Sequence, residues 1–292
     1  MLIALYNRNF EEKDLPLLQH TFDLLRQNNV GMVFYKDFYE RLASHFPFNE
    51  TPKLFTSSVD LPANTSFFLS LGGDGTMLDA VCFVAGSGIP IMGINLGRLG
   101  FLAAIPKDEI DLAIYSLCSG SYQVEQRSLL HLDANIPLFG NANFALNELT
   151  IHRKDSSSMI KIHTFLNGAF LNTYWADGLI VATPTGSTGY SLSCNGPLVF
   201  PQASSFVITP VAPHNLNIRS LVVPDDSVIS FEVEGRADQY LCTLDSRMEA
   251  ITSEVQLAVR KEDFSINLAR PNDHNFLNTI RQKLFWGIDS RN

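Results

Sequence analysis

About the first 120 residues alternate short apolar runs with stretches whose apolar residues recur at helical spacing. The apolar runs have the length of strands and lie at residues 2–6, 30–35, 66–71 and 89–94. The helical stretches lie at residues 14–25, 38–46, 76–85 and 108–118. The first of them has Asp14 at its N-terminal cap and Pro16 in its first turn, where these residue types are favoured. This alternation predicts a parallel sheet with helices on its faces.

After residues 119–121 the pattern changes to that of a sheet-rich domain. Alternating or continuous apolar runs lie at residues 159–165, 227–234, 239–244 and 264–268. Turn residues separate these runs, and convincing helical periodicity is scarce. A helical pattern returns over residues 275–286, with one apolar side made of Phe276, Ile280, Leu284 and Phe285.

The C-terminal helical pattern needs a surface that can cover its apolar side. We therefore predict that this helix packs back on the first domain. The division that follows is an α/β domain at residues 1–122, a β-rich, sandwich-like domain at 123–272, and the C-terminal helix at 273–292.

Composition and charge narrow the function classes. The chain has 292 residues, of which 46% are hydrophobic and 17% charged, so it can bury a substantial core. The formal net charge of -9 argues against a general nucleic-acid binder. A nucleotide substrate stays possible, because backbone amides, a helix N-terminus or a metal ion can hold phosphates.

We expect no membrane segment and a cytoplasmic location. The most apolar region, residues 88–105, is interrupted by Asn95 and Arg98 and contains Pro90, and the N-terminus lacks the pattern of a signal peptide. The seven histidines show no metal-ligand spacing, so no structural zinc is expected. The cysteines are far apart in apolar stretches, as buried reduced thiols would be, at Cys82, Cys118, Cys194 and Cys242.

The sharpest local signal is a glycine-rich loop at residues 71–76 that follows a predicted strand and opens a predicted helix. Gly72, Gly73 and Gly75 let the backbone approach phosphate oxygens without interference from Cβ atoms. The helix N-terminus directs unpaired N–H groups and the positive end of its dipole to the same place. No lysine follows, so this is not a Walker A loop. The structural alternative is a tight turn in which Asp74 and Thr76 act as capping residues.

A second series of motifs distinguishes among the kinases that carry such a loop, which include diacylglycerol kinases, sphingosine kinases and phosphofructokinases. Residues 176–191 closely resemble the long signature of NAD kinases. Further segments resemble blocks of that family and occur in its order, at residues 93–102, 147–148, 212–214 and 219–221. Lipid kinases share the glycine loop but not this series, so the chain is identified as resembling the NAD kinases.

The resemblance implies a fold, a reaction and partners. The expected fold is a Rossmann-like N-terminal domain, a β-rich C-terminal domain and a C-terminal helix returning to the first domain. The expected reaction moves the terminal phosphoryl group of ATP, or of inorganic polyphosphate, to the 2′-hydroxyl of the adenosine ribose of NAD. A divalent cation, Mg²⁺, is expected to arrive with the phosphate donor without a fixed protein ligand. A homodimer or homotetramer is also implied.

The resemblance assigns roles position by position. Asp74 is expected to act beside the ribose 2′-hydroxyl as general base or orienting acceptor, a role that suits a carboxylate. The phosphate-facing turn would consist of Gly72, Gly73, Gly75 and Thr76. Asn147 and Glu148 would hold dinucleotide hydroxyls, which requires a loop or strand end because adjacent side chains diverge on a strand. The adenosine pocket would be lined by Asp177, Thr188, Gly189, Tyr190, Ser191, Leu192 and Ser193, with Arg247 as a further binding residue.

Three departures from the family pattern stand out, and two alternative functions remain open. Gly189 replaces the usual alanine, Trp175 stands where relatives often have arginine, and Asp245-Ser246-Arg247 stands where many relatives have Asp-Gly-Gln or Asp-Ser-Gln. One alternative is a lipid or sugar kinase built on the same loop, which would lack the series at residues 177–191. The other is a non-catalytic dinucleotide sensor, which has no need of Asp74. The residues do not specify the phosphate donor.

Overall fold

The protein forms two compact units. The computed structural model describes residues 1–48, 51–154 and 158–285. Unit 1 consists of Met1–Gln126 together with the C-terminal stretch that begins at Ile266, and unit 2 is Arg127–Ser265. In the sequence, unit 2 is therefore an insertion into unit 1.

The helices and strands follow the chain in this order. The helices are α1 (Leu15–Gln27), α2 (Lys36–Leu42), α3 (Asp74–Val84), α4 (Ile110–Ser119), α5 (Tyr190–Ser193) and α6 (Phe276–Leu284). The strands are β1 (Leu2–Tyr6), β2 (Gly31–Tyr35), β3 (Lys53–Phe55), β4 (Phe67–Leu71), β5 (Ile91–Asn95), β6 (Ile105–Pro106), β7 (Tyr122–Arg127), β8 (Leu130–Ala134), β9 (Phe144–Ala145), β10 (Glu148–Arg153), β11 (Ile160–Leu166), β12 (Ala169–Ala176), β13 (Gly178–Ala182), β14 (Ser205–Val211), β15 (Leu221–Pro224), β16 (Ile229–Glu234), β17 (Tyr240–Leu244), β18 (Arg247–Ile251), β19 (Leu257–Lys261) and β20 (Ile266–Pro271). In the described part of the chain, no helix is both long enough and apolar enough to span a bilayer.

Unit 1 is built on a sheet that, within the described residues, has the strand order β3-β2-β1-β4-β5-β20-β7, with β6 beside β5. β1 pairs in parallel with β2 and β4, and β5 pairs in parallel with β4, β6 and β20. Every residue of β4 and β5 is buried, as expected for parallel strands with both faces covered. The predicted parallel α/β domain is confirmed.

The strand β20 corrects the predicted domain boundary. The apolar pattern predicted residues 266–272 to lie in the β-rich domain, but β20 pairs with β5 in the sheet of unit 1, with Leu268 opposite Ile91. A short apolar run looks the same in a sandwich core and in a buried parallel strand. Only the tertiary structure therefore decides which sheet receives it.

Unit 2 contains two sheets of antiparallel strands. Across the described residues their orders are β15-β14-β13-β10-β17-β18 and β12-β11-β16-β19-β8-β9. β16 shows the alternation that builds the core, with Ile229, Phe231 and Val233 buried between more exposed neighbours. Side chains from both sheets form one hydrophobic cluster, which confirms the predicted sandwich.

The helix α6 belongs to unit 1, in the same compact unit as residues 1–126. Its N-terminus is capped by Asn275, whose side chain accepts a hydrogen bond from the N–H of Asn278 at 2.9 Å. Phe276 and Ile280 are buried as predicted, but Leu284, the last residue of α6, and Phe285 are exposed. Residue 286, which the sequence pattern included in this helix, lies outside the described residues.

Candidate active site

The glycine loop lies between the end of β4 and the start of α3. Gly73 is the N-cap of α3, and the first N–H groups of any helix have no acceptor within the helix. A Cβ added at Gly73 or Gly75 would meet no described atom within 4 Å, so the loop is open on that side. A Cβ at Gly72 would lie 2.4 Å from Oγ1 of Thr76, so packing requires glycine there. The loop thus presents open backbone at a helix N-terminus, as phosphate binding requires.

The carboxylate of Asp74 is held by a neighbouring loop. Its Oδ2 accepts a hydrogen bond from the N–H of Phe101 at 2.9 Å. Its Oδ1 accepts from the N–H groups of Leu102 and Ala103 at 3.0 and 2.9 Å. A carboxylate has about four acceptor positions, so one position on Oδ2 stays available. Asp74 is the first residue of α3, after the N-cap Gly73, and its carboxylate accepts from residues 101–103 rather than from the first turn of α3, so it does not act as a capping aspartate.

Gly100 makes this arrangement possible. A Cβ added at Gly100 would lie 1.9 Å from Oδ1 of Asp74 and 2.6 Å from its Cγ. This close approach gives a physical reason for the family-like segment at residues 93–102, which the sequence analysis recognised only as a resemblance. Gly100 was not among the predicted site residues, because no local pattern shows which side chain fills the space beside a glycine.

In unit 2, Asn147 and Glu148 lie at the beginning of β10, which is the strand end that their predicted joint role requires. The carboxylate of Asp245, whose side chain is 3% exposed, holds them in place. It accepts hydrogen bonds from the N–H groups of Leu146, Asn147 and Glu148 at 2.8, 2.8 and 3.2 Å. Asp245 lies in the turn between β17 and β18 with a φ of 53°. Asp245 was not among the predicted site residues, although aspartate is one of the residue types that favour tight turns.

The carboxyl group of Glu148 is strongly perturbed. Burial, and secondly the negative charge of Asp245, raise the pKa of Glu148 from 4.5 to about 8. Burial also raises the pKa of Asp245, although its three N–H donors and Arg247 oppose that effect. At neutral pH Glu148 is therefore largely protonated, and its carboxyl group can donate as well as accept a hydrogen bond.

Asn147 and Glu148 each have one buried oxygen that makes no hydrogen bond with the described residues. Asn147 Oδ1 and Glu148 Oε2 are buried, and neither has a hydrogen-bond partner among the described residues. Buried polar atoms in folded proteins are nearly always paired, and exceptions point to a ligand or an ordered water. The two adjacent oxygens are thus suited to a ligand that presents hydroxyl or amino groups.

The perturbed pKa of Glu148 leads to a pH-dependent prediction. A folded-state pKa above the ordinary value stabilises the protein fully below about pH 4.5, and this contribution is lost as the pH rises to about 8. We expect Glu148→Gln to gain stability relative to the parent as the pH rises through this window. Urea unfolding of both proteins at a series of pH values measures the difference, and an offset independent of pH would contradict the assignment.

The segment at residues 183–199 folds back over Asn147 and covers the outer face of β13. Oγ1 of Thr183 donates to the carbonyl of Leu146 at 2.6 Å. A Cβ added at Gly186 would lie 2.0 Å from the carbonyl oxygen of Asn147, so this loop rests directly on the backbone. Beneath the loop, Val199 and Cys194 pack against Ile180 and its neighbours. These contacts explain why the motif at residues 176–191 and the Asn147–Glu148 pair occur together in one chain.

Gly189 provides room for Glu148. A Cβ added at Gly189 would lie 2.8 Å from Oε2 of Glu148, 3.3 Å from the carbonyl oxygen of Gly186 and 3.4 Å from Nδ2 of Asn147. The glycine therefore leaves space beside the side chains of both Asn147 and Glu148. The departure from the family alanine therefore fixes where the Glu148 carboxyl group lies.

We expect Gly189→Ala to displace the Glu148 carboxyl group and to raise KM for NAD by about two- to tenfold, the loss of one hydrogen bond. The kcat should change little. In a Glu148→Asp background, where the side chain is shorter by about 1.5 Å, the same substitution should have no further effect. Steady-state kinetics of the four proteins provide the measurement. Equal KM increases in both backgrounds would show that Gly189 acts independently of Glu148.

The predicted adenosine-pocket residues at 188–193 differ in how far their side chains are exposed. Tyr190 is 40% exposed and can present its ring to a base. Ser191 is buried, and its hydroxyl shares a hydrogen bond of 2.9 Å with Thr209. The hydroxyl of Ser191 is therefore used inside the fold, and the contact of residues 188–193 with adenosine stays a prediction. Thr188 and Leu192 are half-buried and Ser193 is exposed.

Asp177 lies just before β13, whereas Glu148 is opposite Ala182 at the other end of that strand. Its carboxylate forms an ion pair of 3.1 Å with Arg153. The structure therefore does not bring Asp177 directly beside the Asn147–Glu148 pair. An ion-paired aspartate can still accept a hydrogen bond from a ligand, so the binding role stays a prediction.

Arg247 supports the Asp245 turn. Its guanidinium donates to the carbonyl oxygens of Ala142 and Phe144 and lies 3.8 Å from the carboxylate of Asp245. It also lies over the ring of Phe144 at 5.4 Å from the centroid. These contacts give Arg247 a role in positioning Asp245, and direct contact with a dinucleotide stays a prediction.

Comparison with known proteins identifies the family. The ATP-NAD kinase N-terminal domain matches residues 3–122, and the ATP-NAD kinase C-terminal domain matches residues 146–270. The NAD kinase of Cytophaga hutchinsonii is 46% identical over 293 residues, with all of both chains covered. Those of Flavobacterium johnsoniae and Bacteroides fragilis are 45% and 41% identical, again over the full lengths. The chain belongs to the NAD kinase family. This membership does not favour a lipid or sugar kinase.

Two solved structures share the fold. A yeast NADH kinase complexed with NADH matches with a TM-score of 0.86 and 22% identity, covering 99% of this chain and 88% of that one. An NAD kinase from Archaeoglobus fulgidus in complex with ATP matches with a TM-score of 0.74 and 22% identity, covering 96% and 99%. The predicted combination of an α/β domain, a β-rich domain and a C-terminal helix is confirmed as the fold of NAD kinases.

Proposed function

We propose that this NAD kinase family member transfers the terminal phosphoryl group of ATP, or of inorganic polyphosphate, to the 2′-hydroxyl of the adenosine ribose of NAD. The observation that carries the proposal is the carboxylate of Asp74. Three backbone N–H groups fix it at the N-terminus of α3, and one acceptor position on Oδ2 stays available. A carboxylate held in this way is suited to orient a hydroxyl and to accept its proton.

In unit 1, the glycine loop is proposed to bind the donor phosphates and Asp74 to accept the proton of the attacking hydroxyl. Phosphoryl transfer depends mainly on positioning and on neutralising charge in the transition state. The open backbone of Gly73 and Gly75, with the positive end of the α3 dipole, is suited to the donor phosphates. Asp74 then takes the proton of the ribose 2′-hydroxyl while the 2′-oxygen attacks the terminal phosphorus. The bond from that phosphorus to the rest of the donor breaks, and the shortened donor leaves.

A divalent cation, Mg²⁺, is proposed to enter with the phosphate donor. When bound, it would neutralise phosphate charge and align the polyphosphate. Among the described residues, no group of three or more His, Cys, Asp or Glu side chains is arranged to hold a metal ion. The acceptor position left on Oδ2 of Asp74 is chemically suited to such an ion as well as to a hydroxyl.

Unit 2 is proposed to recognise the dinucleotide. Asn147 Oδ1 and Glu148 Oε2 have no hydrogen-bond partner among the described residues. Both would bind ribose hydroxyls, the amide oxygen as an acceptor and the largely protonated carboxyl group as a donor or an acceptor. The exposed ring of Tyr190 would stack on a base. Asp177, oriented by Arg153, would accept a further hydrogen bond.

We also propose a cytoplasmic location and assembly into a homodimer or homotetramer. All four cysteines, which lie within the described residues, are thiols rather than disulfides, and this is typical of a reducing compartment. Light scattering of the purified protein measures the mass and tests the assembly.

A coupled assay of NADP formation tests the function. The purified protein is incubated with NAD and Mg²⁺, and with either ATP or polyphosphate as donor, and NADP is detected with an NADP-specific dehydrogenase. We expect NADP to form with at least one donor and to depend on the metal. Parallel reactions with NADH define acceptor preference. Tight binding of NAD without product from either donor would instead establish a non-catalytic sensor.

A further inference from the structure

The strand β20 brings a buried cation into the sheet of unit 1. Arg270 is only 3% exposed, although it lies in a strand of otherwise uncharged residues. Burial lowers the pKa of Arg270, and the carboxylates of Glu125 and Asp74 oppose that effect. Burying a guanidinium is unfavourable unless anions and acceptors compensate it. The position of Arg270 therefore calls for a reason beyond packing.

A single peptide group connects Arg270 with Asp74. Nη2 of Arg270 donates to the carbonyl oxygen of Phe101 at 3.2 Å. The N–H of the same peptide group belongs to Leu102 and donates to Oδ1 of Asp74 at 3.0 Å. Because a peptide group is planar and rigid, the guanidinium and the carboxylate restrain its two ends together. Hydrogen bonds arranged in series also polarise and strengthen one another.

The other contacts of Arg270 are weaker. Its Nε lies 3.9 Å from Oε2 of Glu125, beyond hydrogen-bond distance. Its Nη1 is buried and has no hydrogen-bond partner within the described ranges. The bond to the Phe101 carbonyl is thus the best-defined anchor of this side chain.

We propose that Arg270 is a positioning residue for Asp74, which it holds in place through the peptide group between Phe101 and Leu102. The proposal rests on the proposed role of Asp74 in phosphoryl transfer. Arg270 lies far along the chain from the glycine loop, and it reaches the loop only because β20 returns to the first sheet beside β5. The C-terminal segment therefore takes part in arranging the catalytic carboxylate.

A double-mutant cycle tests the proposal. Misplacing a reacting group by about 1 Å costs roughly 10²-fold, so Arg270→Met should lower kcat by about ten- to a hundredfold. KM for NAD should stay within about twofold of the parent, because a loss confined to the transition state leaves substrate binding unchanged. In an Asp74→Asn background the same substitution should lower the residual rate by less than about twofold, since the positioned carboxylate is already absent.

Two further variants keep the test decisive. Arg270→Lys retains a positive charge and a donor, so it should recover part of the kcat lost in Arg270→Met. If Arg270→Met does not fold, the cycle is run with Arg270→Lys. Glu125→Gln removes the other anion near Arg270 but leaves the Phe101 bond intact. It should lower stability, because the buried cation loses compensation, while kcat stays within about threefold of the parent.

Three outcomes would overturn the inference. They are equal fold-losses for Arg270→Met in both backgrounds, a kcat of Arg270→Met close to that of the parent, and a loss in Glu125→Gln as large as that in Arg270→Met. Each would assign Arg270 to general stability of the buried charge cluster. Failure of the parent protein to form NADP would instead refute the proposed function, so the two failures are distinguishable.

Discussion

Replacing Asp74 with asparagine is expected to lower the rate of NADP formation by about 10²–10⁴-fold while NAD still binds, because general-base catalysis contributes a factor of that size. The amide cannot take up the proton of the 2′-hydroxyl. The substitution also has a structural cost. With its oxygen facing Leu102 and Ala103, the amide NH₂ would face the N–H of Phe101, which loses its acceptor. We expect a loss of about 1–3 kcal/mol in unfolding free energy.

Turnover and thermal unfolding of Asp74→Asn, measured on one preparation, separate these two effects. A purely structural carboxylate predicts a lower melting temperature with nearly normal turnover below that temperature. Turnover within about fivefold of the parent would remove Asp74 from the catalytic step, since that factor lies below the general-base range. NAD binding, measured by calorimetry, should stay close to that of the parent.

Gly100→Ala is expected to lower kcat by about 10²-fold or more, although the substituted residue makes no contact with a reacting atom. The added methyl group would lie 1.9 Å from Oδ1 of Asp74, so the carboxylate must leave its three N–H donors or the loop must move. Either change misplaces the group that we propose as the base. Steady-state kinetics with NAD as the varied substrate measure kcat and KM separately.

Gly97→Ala is the matched control, because it adds the same methyl group to the same loop. The nearest described atom to that methyl would be Oδ1 of Asn95 at 3.8 Å, an ordinary contact. We expect its kcat to stay within about twofold of the parent, as for most substitutions away from packed positions. Equal losses in the two variants would mean that the loop tolerates no methyl group anywhere and that Asp74 is not the cause.

The sequence indicated the candidate site unevenly. The glycine loop could be predicted from the sequence, because three glycines at a strand–helix junction let the backbone approach phosphate oxygens. Asn147 and Glu148 were recognisable only through the family resemblance. The structure shows what holds them in place, since Gly186 packs against the backbone of Asn147 and Asp245 accepts hydrogen bonds from the N–H groups of both residues. A serine in a polar motif gives no sign of which way its hydroxyl points, and only the structure shows that the hydroxyl of Ser191 bonds to Thr209.

Supporting residues were the least predictable part of the site. Asp245, Gly100 and Arg270 each act on residues that are remote in sequence, and nothing in their own neighbourhoods identifies the partner. Arg270 did carry a weak signal as a charge in an apolar strand. That signal gained meaning only when β20 was found beside β5, next to the loop that holds Asp74.

By itself the sequence determined the elements that depend on local chemistry. The period of apolar residues separated the α/β part from the β-rich part, and the capping signals and the glycine loop indicated where helices begin to within about two residues. The tertiary structure decided which sheet received β20, that the apolar face of α6 is buried only at Phe276 and Ile280, and which donors hold Asp74. The physical reason is that strand partners, burial and hydrogen-bond partners depend on residues far away in the chain, which no local pattern specifies.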